Sequence, residues 1–161
     1  MAKRKLSAGI LLYRMRGGEV QVFLVHPGGP YGAGKDDGAW SIPKGEYGEG
    51  DDPLATARRE FSEETGSQVT GRFRPLSPVT QPSGKVVSAW AVEGDLDAST
   101  VKSNMFSLEW PPHSGKTQEF PEVDRGGWFD IATARTKLQP GQRVFLDQLL
   151  RPLKDPGAQR S

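Results

Sequence analysis

Apolar and polar residues alternate near the start of the chain as they do in a half-buried strand. Every second residue from Leu6 to Leu12 is small or apolar, and residues 20–25 form a dense run of β-branched and aromatic side chains. Successive side chains of a strand point to opposite faces, so this alternation marks a strand with one buried face. We therefore predict a pair of strands over residues 6–13 and 20–25.

The rest of the chain mixes strand patterns with helical ones. Residues 69–76 and 86–92 flank residues 81–84, a turn-forming Gln-Pro-Ser-Gly sequence, and we predict both flanking segments as strands. Residues 131–138 and 144–150 repeat their apolar positions at helical spacing. Because strands and helices are mixed and no internal repeat is visible, we predict an α/β or α+β sandwich.

Two segments are predicted to lack regular structure. Residues 26–39 contain five glycines and two prolines and are predicted to form a long loop. Residues 153–161 follow Pro152 and are predicted to be a disordered tail. Residues 1–152 would then form one domain, as is usual for a chain of 161 residues.

Composition and charge narrow the possible chemistry. The chain has no cysteine, which excludes disulfides, thiol catalysis and iron–sulfur clusters, so a metal would need oxygen or histidine ligands. Its 21 basic and 20 acidic residues leave a net charge of +1, which gives no general attraction to nucleic acid. No apolar run approaches the roughly 18 residues that span a bilayer. The basic start at residues 3–5 lacks the apolar core of a signal peptide, and we expect a cytoplasmic protein.

Negative charge is concentrated in residues 46–64. This stretch has seven acidic and two basic residues and a net charge of −5. Residues 51–53, Asp-Asp-Pro, are a typical helix start, because aspartate accepts hydrogen bonds from free backbone N–H groups and proline fits the first helical position. Gly66 is a typical helix end. We therefore predict an acidic helix between these residues.

Three carboxylates share one face of this predicted helix. At 100° per residue, Glu60, Glu63 and Glu64 fall within about 100° of one another. Arg59 precedes Glu63 by four residues and is placed to form an ion pair with it. An apolar stripe lies beside the carboxylates and can anchor the helix on a core; it consists of Leu54, Ala57 and Phe61.

Clustered carboxylates need a compensating charge. Without it, their repulsion raises the pKa of at least one of them. A hard divalent cation provides that charge, and several carboxylates without a thiolate suit Mg²⁺ or Mn²⁺, often with substrate phosphates completing the coordination. The alternative is a solvated acidic helix face without a ligand. The three carboxylates alone leave both interpretations open.

A glycine, an aspartate and the acidic segment itself are separated by definite numbers of residues. Gly45 is followed after five residues by Asp51, and after seven more by Arg-Glu-Phe-Ser-Glu-Glu-Thr-Gly at residues 59–66. This arrangement closely resembles the signature of the Nudix hydrolases, G-x5-E-x7-R-E-U-x-E-E-x-G-U, in which U is bulky and apolar. Seven of its nine fixed positions match, and Trp-Ser-Ile-Pro-Lys at residues 40–44 is similar to the family's usual lead-in.

Two positions depart from the family signature. Asp51 stands where the family usually has glutamate, and Ser67 stands where it has a bulky aliphatic residue. The shorter Asp51 is expected to reach Arg59 less well. Neither departure affects the three glutamates of the helix.

The resemblance implies a fold and a reaction. The expected fold is an α/β sandwich of the Nudix type, α/β/α in its layers, with a mixed sheet and a catalytic loop–helix. Nudix enzymes hydrolyse a nucleoside diphosphate linked to another group by attack of water on phosphorus, with divalent metals bound by the motif glutamates. A nucleotide substrate and Mg²⁺ or Mn²⁺ are therefore expected.

The resemblance also implies roles for individual residues. Arg59 would orient a glutamate rather than contact substrate. The expected metal ligands are Glu60, Glu63, Glu64 and the backbone carbonyl of Lys44. The residues expected to contact substrate are Lys44, Gly45 and Trp40.

The general base is left open by the resemblance. Glu63 on the helix is one candidate. Residues 118–124 supply another, because similar enzymes often place a late glutamate in such a loop. Glu122 is the preferred residue there and Glu119 its substitute, and an ordinary solvated loop is the alternative for both.

The substrate class is a narrower hypothesis. The small size, the lead-in and the C-terminal helices are most similar to the dinucleoside polyphosphate and housecleaning branches, so we expect a dinucleoside polyphosphate or a modified nucleoside triphosphate. ADP-ribose or another nucleotide sugar is an alternative, since Pro82 occupies a position associated with ADP-ribose cleavage, although it also suits a simple turn. A weakly active nucleotide-binding module, an acidic helix that binds calcium or docks a protein, and a homodimer also stay open.

Histidines and aromatic residues are weaker candidates. His26 and His113 lie in proline-rich segments, and surface positions are favoured over metal binding for both. Five aromatic residues have rings that can stack on a nucleobase, but packing in the core or sheet is favoured for each: Tyr31, Trp40, Phe73, Trp90 and Trp110.

Overall fold

The structure, a computed structural model, describes residues 5–154. Single turns of 3-10 helix occur at Ala98–Thr100 and Pro140–Gln142. The α-helices are α1 (Pro53–Thr65), α2 (Ile131–Lys137) and α3 (Val144–Lys154). The strands are β1 (Leu6–Arg16), β2 (Glu19–Pro27), β3 (Lys44–Tyr47), β4 (Arg74–Pro75), β5 (Val79–Thr80), β6 (Val86–Glu93), β7 (Met105–Glu109), β8 (Thr117–Pro121) and β9 (Val123–Asp130).

β1 lies at the centre of a mixed sheet. It pairs in parallel with β6 and antiparallel with β2 and β3. The order across the sheet is β4-β6-β1-β2-β9, while β3 pairs with the first part of β1 and β5 pairs with β6. β7 and β8 form a separate two-stranded hairpin. The mixed sheet expected from the sequence is confirmed.

Each face of the sheet carries its own core. The alternation in β1 sends Leu11 to one face and Ile10 and Leu12 to the other. Leu138 and Phe145 pack on the first face from the C-terminal part of the chain, and α1 packs on the second. Helices on both faces of one sheet give the sandwich that the sequence predicts.

Helix α1 begins and ends as the sequence predicts. The Asp52 carboxylate accepts a hydrogen bond from the Ala55 N–H at 2.9 Å. Gly66 has a left-handed φ of 78° and donates its N–H to the Ser62 carbonyl at 2.8 Å. Phe61 of the apolar stripe is fully buried in the core beneath the helix. This anchoring directs the neighbouring acidic face toward β3.

The predicted strand at residues 69–76 is wrong for most of its length. Only Arg74–Pro75 pair with β6, and residues 69–73 lie outside the sheet. Gly71 has a φ of 138°, which a regular strand does not allow. Val69 instead packs into the core beside α1, so the apolar pattern here reflects burial rather than strand pairing.

Strand β9 was not predicted from the sequence. It contains Gly126 and Gly127 and several charged residues, all of which disfavour a strand prediction. A side chain at residue 126 would collide with the ring of Phe23, so glycine is needed for β9 to lie beside β2. The hairpin β7–β8 was missed as well, because its residues lack a clear alternation.

The remaining predicted elements agree with the structure apart from their ends. β2 reaches Pro27, so the long loop begins two residues later than predicted. α3 reaches Lys154 and takes in the first two residues of the predicted tail, while residues 155–161 lie outside the described part of the chain. The boundary of the predicted domain stays a prediction. Between residues 5 and 154, no helix is long and apolar enough to cross a bilayer.

Candidate active site

The carboxylate of Glu60 lies against the backbone of β3. A side chain at Gly45 would overlap the Cδ, Cγ and Oε1 atoms of Glu60, so only glycine leaves room for this carboxylate. The Glu60 side chain is 14% exposed. Burial and the nearby charge of Glu63 raise its pKa above the ordinary value for a glutamate.

Glu64 is the more buried of the two carboxylates that face β3. Its Oε1 accepts a hydrogen bond of 3.3 Å from the Lys44 N–H. Burial raises the pKa of Glu64 to about 8, and the charge of Glu60 adds to this rise, although the Lys44 ammonium opposes it. Burial and the charge of Lys85 lower the pKa of Lys44. A lysine and two glutamates therefore share one poorly hydrated space between α1 and β3.

Arg59 pairs with the glutamates of its own helix. Its Nη1 lies 2.9 Å from Glu63 Oε1 and 3.3 Å from Glu60 Oε1, and the predicted pair of Arg59 with Glu63 is confirmed. Asp51 instead accepts a hydrogen bond from the Gly48 N–H at 2.9 Å. Its negative charge helps to raise the pKa of Arg59, but the two side chains form no hydrogen bond in the described structure. Asp51, which stands where the family usually has glutamate, thus bonds to the loop before α1 instead of to Arg59.

Glu122 is brought close to the glutamates of α1. Partial burial and the charge of Glu63 raise the pKa of Glu122, and the charge of Glu122 in turn helps to raise the pKa values of Glu60 and Glu64. Glu119 is exposed on β8, opposite Ser107. Of the two late glutamates considered from the sequence, Glu122 is the one that joins the cluster.

The backbone fixes Glu122 from both sides. Its N–H donates to the Asn104 carbonyl at 2.9 Å, and its carbonyl accepts from the Gly28 N–H at 3.0 Å. The Asn104 N–H donates to the Glu63 carbonyl at 2.8 Å, so the same segment also contacts α1. Asn104 was missed at the sequence level, because nothing in its local sequence marks it.

The donor chemistry of this cluster suits a divalent cation. Glu60, Glu63 and Glu64 offer carboxylate oxygens, and burial, with a smaller contribution from neighbouring carboxylates, raises the pKa values of Glu60 and Glu64. Within residues 5–154, however, no group of three or more acidic or histidine side chains converges as a metal site. Glu63 is turned toward Arg59 and Glu64 toward the Lys44 N–H, so these side chains would have to rotate to share one ion.

Trp40 does not lie on the surface of this site. Its side chain is 4% exposed, its Nε1–H donates to Asp36 Oδ1 at 2.9 Å, and its ring packs edge-on against Phe129 and His26. The packing in the core that the sequence favours for Trp40 is therefore confirmed, and the expected contact of Trp40 with substrate is corrected. Tyr31, by contrast, is 62% exposed, with its ring 5.3 Å from that of Trp110.

His26 is also placed differently from the prediction. It is fully buried at the end of β2, where a surface position in a loop was expected. Its ring nitrogens face Asp124 Oδ1 and the Lys35 carbonyl. The predicted surface position is confirmed for His113, which is exposed.

A groove of about 470 Å³ runs beside Glu63 and Arg59 on the outer side of α1. Its walls include Arg58, whose guanidinium lies 5.0 Å from the centre of the Phe73 ring. The groove adds positive charge and room next to the carboxylate cluster. It is lined by Arg58, Arg59, Ser62, Glu63, Gln68 and Val69.

Comparison with known proteins identifies a family and similar folds. The sequence profile of the NUDIX domain matches residues 3–149. No curated protein sequence matches the chain. A structure of C. elegans Ap4A hydrolase in a binary complex is similar to this fold, with a TM-score of 0.64, 19% identity and coverage of 92% of this chain and 98% of that chain.

Two further solved structures are similar at comparable levels. The NUDIX domain of Shewanella oneidensis NrtR, complexed with ADP ribose, has a TM-score of 0.66 and 15% identity, covering 95% of this chain and 90% of that one. A mutT/nudix family protein from Listeria innocua has a TM-score of 0.63 and 14% identity, covering 96% and 97%. At these identities the likeness concerns the fold.

Proposed function

The chain belongs to the NUDIX domain family of pyrophosphohydrolases, and from that premise we propose that its substrate is a dinucleoside polyphosphate or a modified nucleoside triphosphate. The observation that carries this proposal is the cluster of Glu60, Glu63 and Glu64 on α1, with Glu122 beside it. The family generally uses divalent metal ions, and we propose Mg²⁺ or Mn²⁺ here, because the donors are oxygens and the chain has no cysteine.

The residues that would hold the ion are the three glutamates of α1 and the backbone carbonyl of Lys44. When bound, a divalent cation neutralises phosphate oxygens and makes the phosphorus more open to attack by water. Glu63 must leave its pair with Arg59 to contribute, and Arg59 then stays beside the cluster as a residue that orients it. Gly45 keeps the backbone of β3 close enough for Glu60 to lie flat against it.

Glu122 is our preferred general base. It lies across from α1 and is coupled to all three glutamates, and its raised pKa brings it closer to the working pH. As a carboxylate on a segment held by Gly28 and Asn104, it can take a proton from the attacking water. Glu63 is the alternative base, since it faces the same space from α1.

We propose that a long phosphate chain extends from the cluster into the neighbouring groove. The groove beside Glu63 carries the guanidinium group of Arg58, which can bind a phosphate beyond the two at the scissile bond. The similarity to C. elegans Ap4A hydrolase supports this substrate class, whereas the NrtR domain with ADP ribose supports a nucleotide sugar as the second candidate. We propose that Lys44, whose ammonium is close to Glu60 and Glu64, contacts phosphate at the inner end of the cluster.

A substrate panel tests this proposal. The purified protein is incubated with Mg²⁺ and dinucleoside polyphosphates, oxidised nucleoside triphosphates or ADP-ribose, and the products are identified in ¹⁸O-labelled water to locate the phosphorus attacked. The kcat/KM is expected to be highest for a dinucleoside polyphosphate or a modified triphosphate. A higher kcat/KM for ADP-ribose would favour the second candidate, and no turnover of any compound would indicate a binding module of the same fold.

We propose that the enzyme acts in the cytoplasm. We also propose a homodimer, as in many similar enzymes, and sedimentation of the purified chain tests it. Nucleotides are the expected partners, and the balanced net charge of +1 gives no general attraction to nucleic acid.

A further inference from the structure

His26 is a fully buried residue that the proposed reaction does not use. Its Nδ1 lies 2.8 Å from Asp124 Oδ1, and its Nε2 is within hydrogen-bonding distance of the Lys35 carbonyl oxygen. The edge of its ring packs against Trp40, with 5.0 Å between the ring centres. The imidazole is thus enclosed, and both nitrogens depend on protein partners.

Both partners of the imidazole are hydrogen-bond acceptors. A carbonyl oxygen can only accept, so Nε2 must carry a hydrogen. The Asp124 side chain is 24% exposed and has Arg125 Nη1 3.8 Å from the same oxygen, which favours an ionised carboxylate. An ionised carboxylate also can only accept, so Nδ1 must carry a hydrogen too. Both bonds form together only when the ring is an imidazolium, and the bond to Asp124 is then charge-assisted.

The ion pair lies at an irregularity in the sheet. His26 pairs with Arg125 and Pro27 with Val123, so Asp124 is an extra residue in β9. Such a bulge bends a strand and changes the direction of the side chains next to it. Glu122 is two residues before Asp124 and directly precedes β9. The orientation of Glu122 therefore depends on how the bulge is held.

The same histidine fixes a second segment of the site. Lys35 belongs to the loop of residues 28–39, and Gly28 at the start of this loop donates to the Glu122 carbonyl at 3.0 Å. His26 thus joins the bulge in β9 to the loop that contacts Glu122. Because the ring is closed off by Trp40, water cannot easily replace a lost partner, and an unpaired group would destabilise this arrangement.

We propose that His26 is a positioning residue: as a buried imidazolium it holds the bulge at Asp124 and so directs Glu122 toward the glutamates of α1. His26 does not contact substrate in this role. The part of the inference that concerns Glu122 rests on the proposed function, in which Glu122 takes a proton from water. The inferred charge of the His26 ring rests only on its hydrogen bonds to Asp124 and to the Lys35 carbonyl.

Nuclear magnetic resonance of the imidazole nitrogens tests the charge state. The chain has two histidines, so a His113→Asn variant leaves His26 as the single ¹⁵N-labelled imidazole. Residue 113 has a φ of 62°, which asparagine tolerates. Both nitrogens of His26 are expected to show the shifts of protonated nitrogen at pH 7. One nitrogen with the shift of an unprotonated ring would overturn the inference.

Kinetics test the link between His26 and Glu122. In His26→Gln we expect kcat to fall about 10-fold or more with KM within about twofold, since both N–H groups of the amide are on one nitrogen and cannot span the two oxygens that the imidazole joins. Adding Glu122→Gln to this variant should reduce kcat far less than it does in the wild type, because the base is already displaced. Multiplicative losses, or a loss confined to KM, would refute the positioning role.

A milder variant covers the case in which His26→Gln does not fold. Asp124→Asn keeps an acceptor for Nδ1 but removes its charge, so we expect a folded protein with a larger neutral fraction of His26 and an intermediate kcat. Unchanged nitrogen shifts and kcat in this variant would contradict the proposal. Absence of hydrolysis by the wild type would refute the proposed function, whereas a neutral ring would refute this inference alone.

Discussion

Replacing Gly45 by alanine should move the carboxylate of Glu60 while leaving the stability of the fold almost unchanged. The added Cβ would overlap three atoms at the end of the Glu60 side chain. Glu60 is flexible at that end, so the side chain can move away while β3 and α1 stay in place. The φ of Gly45 is not in the left-handed region, so the backbone accepts alanine without strain.

The size of the effect follows from the overlap. A normal non-bonded separation requires the Glu60 carboxylate to shift by roughly 1 Å, and a misplacement of that size at a reacting centre lowers the rate about 10²-fold. This corresponds to about 2.7 kcal/mol in the activation free energy. The free energy of unfolding should change by less than about 1 kcal/mol, since no buried apolar group is lost.

The assay compares Gly45→Ala with Gly48→Ala. Gly48 directly follows β3. The atom nearest to a Cβ added there is Asp51 Oδ2 at 3.8 Å, and the φ of Gly48 is also outside the left-handed region. We expect Gly45→Ala to lose about 10²-fold in kcat/KM and to bind Mn²⁺ more weakly by calorimetry, while Gly48→Ala keeps both. A Gly45→Ala protein with wild-type metal affinity and rate would refute the role of Glu60 beside β3.

Three further predictions concern the glutamates. Glu122→Gln should lower kcat about 10²-fold or more, whereas Glu119→Gln should change it less than twofold, as steady-state kinetics on the best substrate would show. Glu60→Gln and Glu63→Gln should each lower turnover about 10²-fold with unchanged circular dichroism, and near-normal rates would remove their assigned roles. Because the folded-state pKa of Glu64 is raised from 4.5 to about 8, the metal-free protein should lose stability as pH rises through this range, by at most about 5 kcal/mol. Thermal melts in chelator should show this fall in the wild type and a flatter curve for Glu64→Gln.

Local sequence was sufficient for α1 and its carboxylates. The capping residue Asp52, the left-handed Gly66 and the buried Phe61 all act within the helix or one turn from it, so their pattern is visible in the sequence. The helical period then determines which face carries the glutamates. The importance of Gly45 was marked by the family signature, and its physical reason became visible only with the packing of Glu60 against β3.

Contacts between residues far apart in the sequence determine the features that local sequence does not predict. His26 precedes a proline and several glycines, which predicts a loop, yet Asp124, 98 positions later, pairs with it and keeps it in β2. Trp40 likewise packs against Phe129 in β9, with 4.9 Å between the ring centres. β9 itself is stabilised by Phe23 packing over Gly126, and no local pattern reports such a contact.

The most direct measurement is a crystal structure of the protein with Mg²⁺ and a dinucleoside polyphosphate whose scissile bridge is replaced by methylene. We expect density for at least one ion bound by oxygens of Glu60, Glu63 and Glu64, with phosphate oxygens completing its coordination and Glu63 released from Arg59. A well-ordered complex in which these three carboxylates face solvent, with neither ion nor phosphate beside them, would contradict it.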